Sequence, residues 1–188
     1  MNRIEGNRRA RRAQRKGKLE QMKRESSGRS CGTCTACCVL PAIDVLVKPE
    51  GKPCQHLRPA RGEQSCARYG TRPRVCAEFY CLWRMGEFTE ESRPDRSGLV
   101  FMAVEEEGIV FLKGIATDEG AIAKNVETFE RLWVKTNLPV CLHIPGSQRV
   151  AAYGSEEQLA RIKAHSSKRR HLPLVGNTSS MKESVDEE

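Results

Sequence analysis

Residues 31–38 read CGTCTACC, and this run opens the stretch 31–83 that holds eight of the nine cysteines of the chain. PCQHL follows at 53–57, and SCARYGTRPRVCAEFYCLW occupies 65–83. An ordinary hydrophobic core does not require thiols at this density. Such a cluster indicates either a disulfide framework or a metal site, and the rest of the sequence has to distinguish between them.

The length of 188 residues predicts one domain with tails, or two small modules. Charge is distributed unevenly along this length. Residues 1–30 contain 11 Lys and Arg against three acids, whereas residues 31–165 contain 17 of each sign. The basic N-terminal segment therefore accounts for the whole net charge of +8, and the remainder is electrically balanced.

The sequence contains no apolar run near the ~20 residues that a membrane helix needs. The N-terminus also lacks the apolar core of a secretory signal. We therefore expect a cytoplasmic protein without a membrane partner, in which the thiols stay reduced and disulfides are rare. The odd cysteine, Cys141, also argues against a complete disulfide set.

Residues 1–30 are predicted to form a basic arm that is disordered or nascent-helical, because they contain too few apolar side chains for a packed face. One interpretation is an arginine-rich arm that binds nucleic acid or an acidic protein surface. The alternative is a solubilising tail without a dedicated partner. The candidate nucleic-acid residues are Arg8, Arg9, Arg11, Arg12, Arg15 and Lys16.

The sequence after residue 30 predicts an α+β fold made of three segments and a C-terminal tail. Residues 31–85 are expected to form a small, irregular cysteine-rich module held together by bound metal, and residues 86–97 a polar linker. Residues 98–165 are expected to form a small α+β layer of order ββαββα, and residues 166–188 a disordered tail. The predicted architecture is thus a metal-bound module beside a small layered one.

Patterning within 98–165 supports this order. The apolar runs GLVFMAV and IVFLKGIA, separated by EEEG, predict a β-hairpin whose two faces are both covered, with Gly108 in the turn. PVCLHI and RVAAY predict two further strands. Ser155 and Gln158 predict a capping box at the start of a final helix. A preceding helix is indicated by apolar residues at helical spacing: Ile122, Val126, Phe129 and Trp133.

Thiolates favour zinc, copper(I) and iron–sulfur clusters over magnesium or calcium. Cys31, Cys34 and Cys37 have the spacing that begins the bacterial ferredoxin run, although Cys38 follows directly where that run has a longer gap. Zinc sites use C-x2-C as well. Neighbouring side chains of an extended chain point to opposite faces. The pair Cys37–Cys38 therefore serves two sites, supplies one ligand, or spans a larger cluster.

The blocks CGTCTACC, PCQHL and C-A-R-Y-x2-R-P-x2-C-x2-F-x-C together resemble the CxxCxxCC (YkgJ-like) cysteine-cluster family, which is described as zinc- or iron-chelating. The resemblance covers roughly residues 31–85, and Ala77 departs from it where the family usually has Arg. It implies that the cysteines bind zinc or iron. By their number and spacing, the eight thiols could fill one or two sites with zinc or an iron–sulfur cluster. The cysteines that match are Cys31, Cys34, Cys37, Cys38, Cys54, Cys66, Cys76 and Cys81.

Three further residues at the family's motif positions are expected around the ligands. His56 either replaces a thiol as ligand or donates a hydrogen bond to a ligand sulfur or a carbonyl, and the second reading is favoured. Tyr69 is likewise expected to lie around the ligands. Arg72 is expected to stabilise an anionic thiolate cluster or to be solvated. Cys141 and His143 could cap the site, but a buried core cysteine beside a satisfied histidine is favoured.

The sequence contains no Gly-rich phosphate loop, no H-E-x-x-H and no G-x-S-x-G, so enzymatic activity is not predicted. The leading hypothesis is a metal-binding cysteine-cluster protein with an iron–sulfur cluster or zinc. One alternative is a nucleic-acid- or ribosome-associated factor that uses the basic arm. Another is a metal-dependent modification enzyme or its maturation partner, because family relatives include flagellin lysine methylases.

Overall fold

The computed structural model describes residues 28–58, 65–106, 108–147, 150–166 and 174–175. A mixed sheet in the order β1-β2-β3-β4-β5 lies at its centre. Its strands are β1 Leu99–Glu106, β2 Ile109–Ala116, β3 Val140–His143, β4 Val150–Tyr153 and the two-residue β5 Leu174–Val175. The α+β class is therefore confirmed.

The strand directions explain how the chain returns to the sheet. β1 and β2 are antiparallel, as are β3 and β4, whereas β2 pairs with β3 in parallel. The parallel step requires a crossover, which the helices after β2 supply. β5 also runs parallel to β4, and it lies within the segment 166–188 for which the sequence predicts no structure.

Six helices are described, and the first three are single turns that precede the sheet. These are α1 Ala36–Val39, α2 Arg74–Ala77 and α3 Pro94–Ser97. Two 3-10 turns, Asp44–Leu46 and Tyr69–Thr71, lie in the same segment. The longer crossover and C-terminal helices are α4 Glu119–Ala123, α5 Val126–Thr136 and α6 Glu156–Ser166.

Two of the predicted local structures are confirmed. β1 and β2 form the expected hairpin, and Gly108 adopts a φ of 81° in its turn. At the start of α6, the Gln158 N–H donates to Ser155 Oγ (3.3 Å) and the Ser155 N–H donates to Gln158 Oε1 (2.9 Å). These reciprocal bonds form the capping box.

The single helix predicted across Ile122–Trp133 is wrong in one respect, because the chain forms α4 and α5 separated at Asn125. Asn125 has φ −113° and ψ 12°, and its side-chain amide donates to the Ala121 carbonyl at 2.7 Å. Short amide side chains compete with backbone hydrogen bonding in this way and so favour helix ends.

Alternate residues of the sheet face two different layers. The first face, which includes Leu99, Phe101 and Leu112, packs with Phe129 and Leu132 of α5. The second face, which includes Val100, Met102 and Ile115, packs against Leu40, Ala36, Phe79 and Cys81 of the cysteine-rich segment. Farther along the second face, Cys141 and Val150 pack with Ile162 of α6. Both faces of the hairpin are covered, as expected.

Residues 86–97, predicted as a linker, pack against the sheet and against Trp83. The Phe88 ring lies 5.4 Å from that of Phe101, and the Trp83 indole N–H donates to the Thr89 carbonyl at 3.1 Å. Pro94, at the start of α3, is buried. Within the described ranges, no helix is long and apolar enough to cross a bilayer.

Gly114 lies at a closely packed position on the first face of the sheet. A Cβ at this position would lie 2.4 Å from Leu142 Cδ2 and 2.8 Å from Phe101 Cε1, so Gly114→Ala must displace two core side chains. We expect a loss of roughly 1–3 kcal/mol in unfolding free energy, measured by urea unfolding. Gly70→Ala is the matched control, because a Cβ there meets nothing within 4 Å. Equal midpoints for the two variants would contradict this packing.

Candidate metal centre

A single cavity of about 300 Å³ is lined by all eight cysteines of the stretch 31–81. His56, Tyr69 and Arg72 line the same cavity. The structure therefore brings together every cysteine that the sequence singles out, although they are spread over three separate sequence blocks. The cysteines are Cys31, Cys34, Cys37, Cys38, Cys54, Cys66, Cys76 and Cys81.

The first four cysteines lie on one turn and one short helix. The Cys34 N–H donates to the Cys31 carbonyl at 2.9 Å, and α1 then carries Cys37 and Cys38. The adjacent pair is thus helical, where the sequence argument assumed an extended chain. In a helix, successive side chains diverge by about 100° instead of pointing to opposite faces. The two thiols remain close enough to hydrogen-bond to each other.

Backbone hydrogen bonds fold the later cysteines back onto this helix. The Cys54 N–H donates to the Cys38 carbonyl at 2.9 Å. Leu57 then forms an isolated β-bridge with Cys66, and the Ala67 N–H donates to the His56 carbonyl at 2.8 Å. Residues far apart in sequence therefore meet through main-chain pairing, which does not depend on the thiols.

The last two cysteines lie beside the sheet. Cys76 is in α2, and Cys81 packs with the cluster of Val100 and Ile115 on the second face. The Leu82 N–H donates to the Phe101 carbonyl at 2.9 Å, so the chain contacts the outer edge of β1 at this point. Leu82 itself is fully buried in the core of the first face.

Apolar side chains form much of the remaining wall. Phe79 and Trp83 line the cavity together with Val100 and Met102 of β1. Tyr80 and Leu82 of the same stretch pack instead with the core of the first face. Apolar walls weaken solvent screening, so charges in this cavity interact more strongly than they would in water.

Lys48 is a buried cation that the sequence argument missed. Its ammonium donates to the carbonyls of Val39, Pro41 and Pro49 at 2.7, 2.5 and 3.1 Å. Only 5% of the residue is exposed. Burial lowers the pKa of Lys48, and its charge acts on Cys38 and Cys54. In the sequence, the signal for this residue was a single lysine that follows the largely apolar run VLPAIDVLV. The spacing between cysteines does not reveal it.

Arg72 lies where the sequence predicts a cation near the thiols. Its guanidinium stacks over the Tyr69 ring at 4.0 Å from the centroid. A hydrogen bond with Tyr69 raises the pKa of Arg72, and the charges of Cys31 and Cys66 contribute in the same direction. The half-exposed Tyr69 ring thus orients a cation at the edge of the cavity.

The thiols differ in their readiness to ionise. Burial raises the pKa of Cys34 to about 11, and it also raises the pKa of Cys76 and Cys81. The hydrogen bond between Cys37 and Cys38 raises the pKa of Cys37 and lowers that of Cys38 to about 7, where Lys48 and Arg72 also assist. Most of these thiols are therefore protonated at neutral pH unless a metal stabilises the thiolate.

Arg93 connects the Cys31–Cys34 turn to α3 through hydrogen bonds. Its guanidinium donates to both carboxylate oxygens of Asp95 at 2.6 Å and to Thr33 Oγ1 at 2.9 Å. The hydrogen bond from Arg93 outweighs burial and lowers the pKa of Asp95. The same guanidinium lies close enough to Cys34 for their charges to interact.

Glu50 connects the cysteine-rich segment to the second face of the sheet. Its carboxylate lies 2.7 Å from His143 Nε2 and 3.5 Å from Lys113 Nζ. Burial opposes ionisation of Glu50, but the hydrogen bond from His143 and the charge of Lys113 outweigh it and lower the pKa. The neighbouring Gly51 lies close to Pro145, where an added Cβ would meet Pro145 Cβ at 2.4 Å.

Cys141 and His143 do not line the cysteine cavity. Cys141 is buried with Val150 and Ile162, and burial raises its pKa to about 12. His143 bonds to Glu50. The structure therefore supports a core cysteine beside a hydrogen-bonded histidine. Cys141 provides an internal control for the other eight thiols.

The residues of the cavity fit a thiophilic metal by their chemistry, since eight soft donors surround one space. That space equals the liquid volume of about ten water molecules, at roughly 30 Å³ each. It exceeds what one bare ion occupies. Across the described ranges, no three Cys, His, Asp or Glu side chains already stand in the arrangement that holds a single metal ion.

The six candidate nucleic-acid residues, Arg8, Arg9, Arg11, Arg12, Arg15 and Lys16, lie outside the described residues. Arg29, near the end of the basic arm, is described. Its guanidinium donates to the carbonyls of Trp83 and Phe88 at 3.0 and 2.7 Å, and it lies 5.1 Å from the Trp83 ring centroid. The Arg29 side chain therefore packs against and hydrogen-bonds to the folded part of the chain.

Glu50→Gln should weaken the attachment between the cysteine-rich segment and the sheet. Because the carboxylate is half-buried, we expect a loss of about 1 kcal/mol in unfolding free energy at pH 7. The folded-state pKa is below the ordinary 4.5. The contribution is therefore complete above pH 4.5 and is lost as the pH falls through the folded-state pKa.

The measurement is urea unfolding of both proteins at pH 7 and at successively lower pH. Glu78→Gln is the matched control, because its ion pair with Arg74 is exposed and should contribute little. A difference between wild type and Glu50→Gln that grows as the pH falls below 4.5 would contradict the assignment.

Comparison with known proteins adds no relative on which the site could be interpreted: no protein-family model, no curated protein and no solved structure matches this chain.

Proposed function

We propose that this protein binds a thiophilic metal, as zinc or an iron–sulfur cluster, through the thiolates of the cysteine cavity. One observation carries the proposal: eight cysteines from three sequence blocks line the same cavity. The ninth, Cys141, is buried elsewhere among apolar side chains. The sequence resemblance to the CxxCxxCC family supports the same function.

The electrostatics of the cavity are consistent with this proposal. Buried thiols that resist ionisation would be a poor nucleophilic set, but a bound cation supplies the charge that stabilises thiolates. Lys48 and Arg72 would offset part of the remaining negative charge. Binding would release protons, so affinity should increase with pH, and it would require the thiols to rotate toward a common centre.

The metal's contribution would be structural in the first instance. In the parts of 31–85 that the structure describes, 31–58 and 65–85, the regular structure consists of single helical turns and isolated bridges, so few regular hydrogen bonds hold them. Metal–thiolate bonds would supply folding free energy that this segment otherwise lacks. An iron–sulfur cluster would in addition supply one-electron redox chemistry, with its potential set by burial and by nearby cations.

Metal content of anaerobically purified protein tests the proposal. Wild type should retain zinc, or iron with acid-labile sulfide, through gel filtration. A variant with Cys34→Ser and Cys54→Ser should lose most of that metal, because each replaces a soft ligand with a hard, weak one. Cys141→Ser is the control and should retain wild-type content, since this thiol lies outside the cavity. Equal metal content in all three proteins would contradict the proposal.

A second candidate function rests on the charge distribution. The basic arm carries the whole net charge of +8, and such arms bind nucleic acid by releasing condensed counterions. The arm would then be the binding element, and the cysteine cavity a rigid base beside it. An acidic protein surface is the competing partner for the same charges.

Gln substitution at Arg8, Arg9, Arg11, Arg12, Arg15 and Lys16 tests this candidate. Wild type should bind duplex DNA or RNA with a log–log salt slope of about −0.9 per phosphate contact for DNA. The six-fold variant should have a shallower slope and weaker binding at low salt. A variant with Gln at six exposed basic positions outside the arm has the same net charge and is the control: Lys52, Arg58, Arg74, Lys124, Arg161 and Lys163. Unchanged retention of the arm variant would exclude the candidate.

A further inference from the structure

A second cavity, of about 370 Å³, lies beside α5. Its volume falls in the range of roughly 300–1,000 Å³ that pockets for small ligands have. Among the described residues, none lines both this cavity and the cysteine cavity. We call it the basic pocket, because three cations and one carboxylate line it: Arg29, Arg131, Lys135 and Glu87.

Helix α5 forms one wall of the basic pocket. Thr128, Arg131 and Lys135 follow one another at i, i+3 and i+7, a spacing that places side chains on one face of a helix. The Arg131 guanidinium donates to Thr128 Oγ1 at 3.3 Å. Leu132 also lines the pocket and packs into the core of the first face. This wall therefore combines an apolar base with two exposed cations.

A second wall consists of Arg29 and residues 87–89. The Arg29 guanidinium donates through Nη1 to the carbonyls of Trp83 and Phe88, and it lies 5.1 Å from the Trp83 ring centroid. Both hydrogen bonds use the same nitrogen, so Nε and Nη2 can still donate to a ligand. The side chain is held in place before a ligand arrives, which reduces the entropy cost of binding.

The charge of the basic pocket favours an anion. Glu87 forms an ion pair with Lys135. Among the ion pairs of the described residues, none joins Arg29 or Arg131 to a carboxylate. The three cations and one carboxylate leave a local net charge of +2. Guanidinium groups bind phosphate with two parallel hydrogen bonds, so two unpaired arginines provide suitable donors.

The basic pocket lies where the basic arm meets the fold. Arg29 is the last arginine of residues 1–30, the segment that accounts for the net charge of the chain. An anionic polymer bound by the arm would therefore meet further cations at this pocket. The apolar side chains of Phe88 and Leu132 also line it and would accommodate the sugar or base attached to a phosphate.

We propose that the basic pocket binds the phosphate group of a nucleotide, either free or within a nucleic-acid strand, with Arg29 and Arg131 as the main donors. The proposal is independent of metal binding. It rests on and extends the nucleic-acid candidate described above, because it assigns a phosphate contact to the folded part of the chain.

Arg131→Gln in the full chain tests the pocket, with Arg161→Gln as the matched control. Both arginines are exposed on helices, and each variant loses one positive charge. The probe is a fluorescent single-stranded oligothymidylate. Arg131→Gln should weaken its binding roughly tenfold, because a hydrogen bond to a charged group is lost. The log–log salt slope should become shallower by about 0.7. Arg161→Gln should bind like wild type.

Competition experiments distinguish the sources of the phosphate. Displacement of the probe by thymidine monophosphate, weakened in Arg131→Gln, would identify a free nucleotide as the ligand. Binding confined to the oligonucleotide and weakened in Arg131→Gln would identify the backbone of a strand. Both results support the phosphate site. A polyglutamate peptide that displaces the probe as effectively as unlabelled oligothymidylate would overturn it and indicate an acidic protein surface.

Equal affinity of Arg131→Gln and Arg161→Gln for the oligonucleotide would also overturn the pocket. The variant with six substitutions in the arm separates this result from failure of the nucleic-acid candidate. If that variant loses binding and Arg131→Gln does not, the arm binds without the pocket. If Arg131→Gln alone weakens binding, the pocket stands without the arm. Wild type that binds neither oligothymidylate nor the monophosphate overturns both.

A second measurement uses wild type alone and so avoids variants that fail to fold. Arginine side chains are modified briefly with phenylglyoxal, with and without oligothymidylate or thymidine monophosphate, and mapped by mass spectrometry. Either probe, if bound in the pocket, should slow the modification of Arg131 and leave that of Arg161 unchanged. Equal modification of Arg131 with and without both probes would overturn the proposal.

Discussion

The alternation of side chains along β1 determines how both layers pack against the sheet. Successive residues of a strand point to opposite faces. Leu99 and Phe101 therefore enter the core beneath α5, while Val100 and Met102 face the cysteine-rich segment. One strand thus organises two layers, and the cavity has a wall that is fixed by the main fold. A slip of one residue in the β1–β2 register would exchange both sets of contacts.

The cysteine-rich segment has a different physical basis. Its described residues contain little regular structure. Its connections to the sheet include the small cluster around Leu40, the carboxylate of Glu50 and the hydrogen bond from Leu82 to β1. Several of its charged groups lie close enough to the thiols for their charges to interact. Lys48 is the clearest example, since its ammonium fixes three carbonyls of one loop beside Cys38. The chemistry of the cavity and the stability of the segment are consequently difficult to separate.

Local patterns predicted the parts of the fold that depend on neighbours in sequence. The hairpin, β3, β4 and the capping box at Ser155 follow from periodicity and turn chemistry, and the eight cysteines that meet were identifiable from their spacing. The division of the crossover helix at Asn125 was not predicted, because a buried amide replaced the apolar pattern as the deciding factor. The positions of Lys48 and Glu50 depend on long-range contacts, which spacing does not encode.

The backbone beside Cys81 has a consequence for the behaviour of the chain in solution. β1 is the first strand of the sheet, and one of its outward carbonyls, that of Phe101, accepts from Leu82. Unpaired strand edges recruit other strands and lead to aggregation. The segment that carries Cys81 therefore covers this point on the border of the sheet. If its anchoring were lost, β1 would expose more of its edge to pairing with another chain.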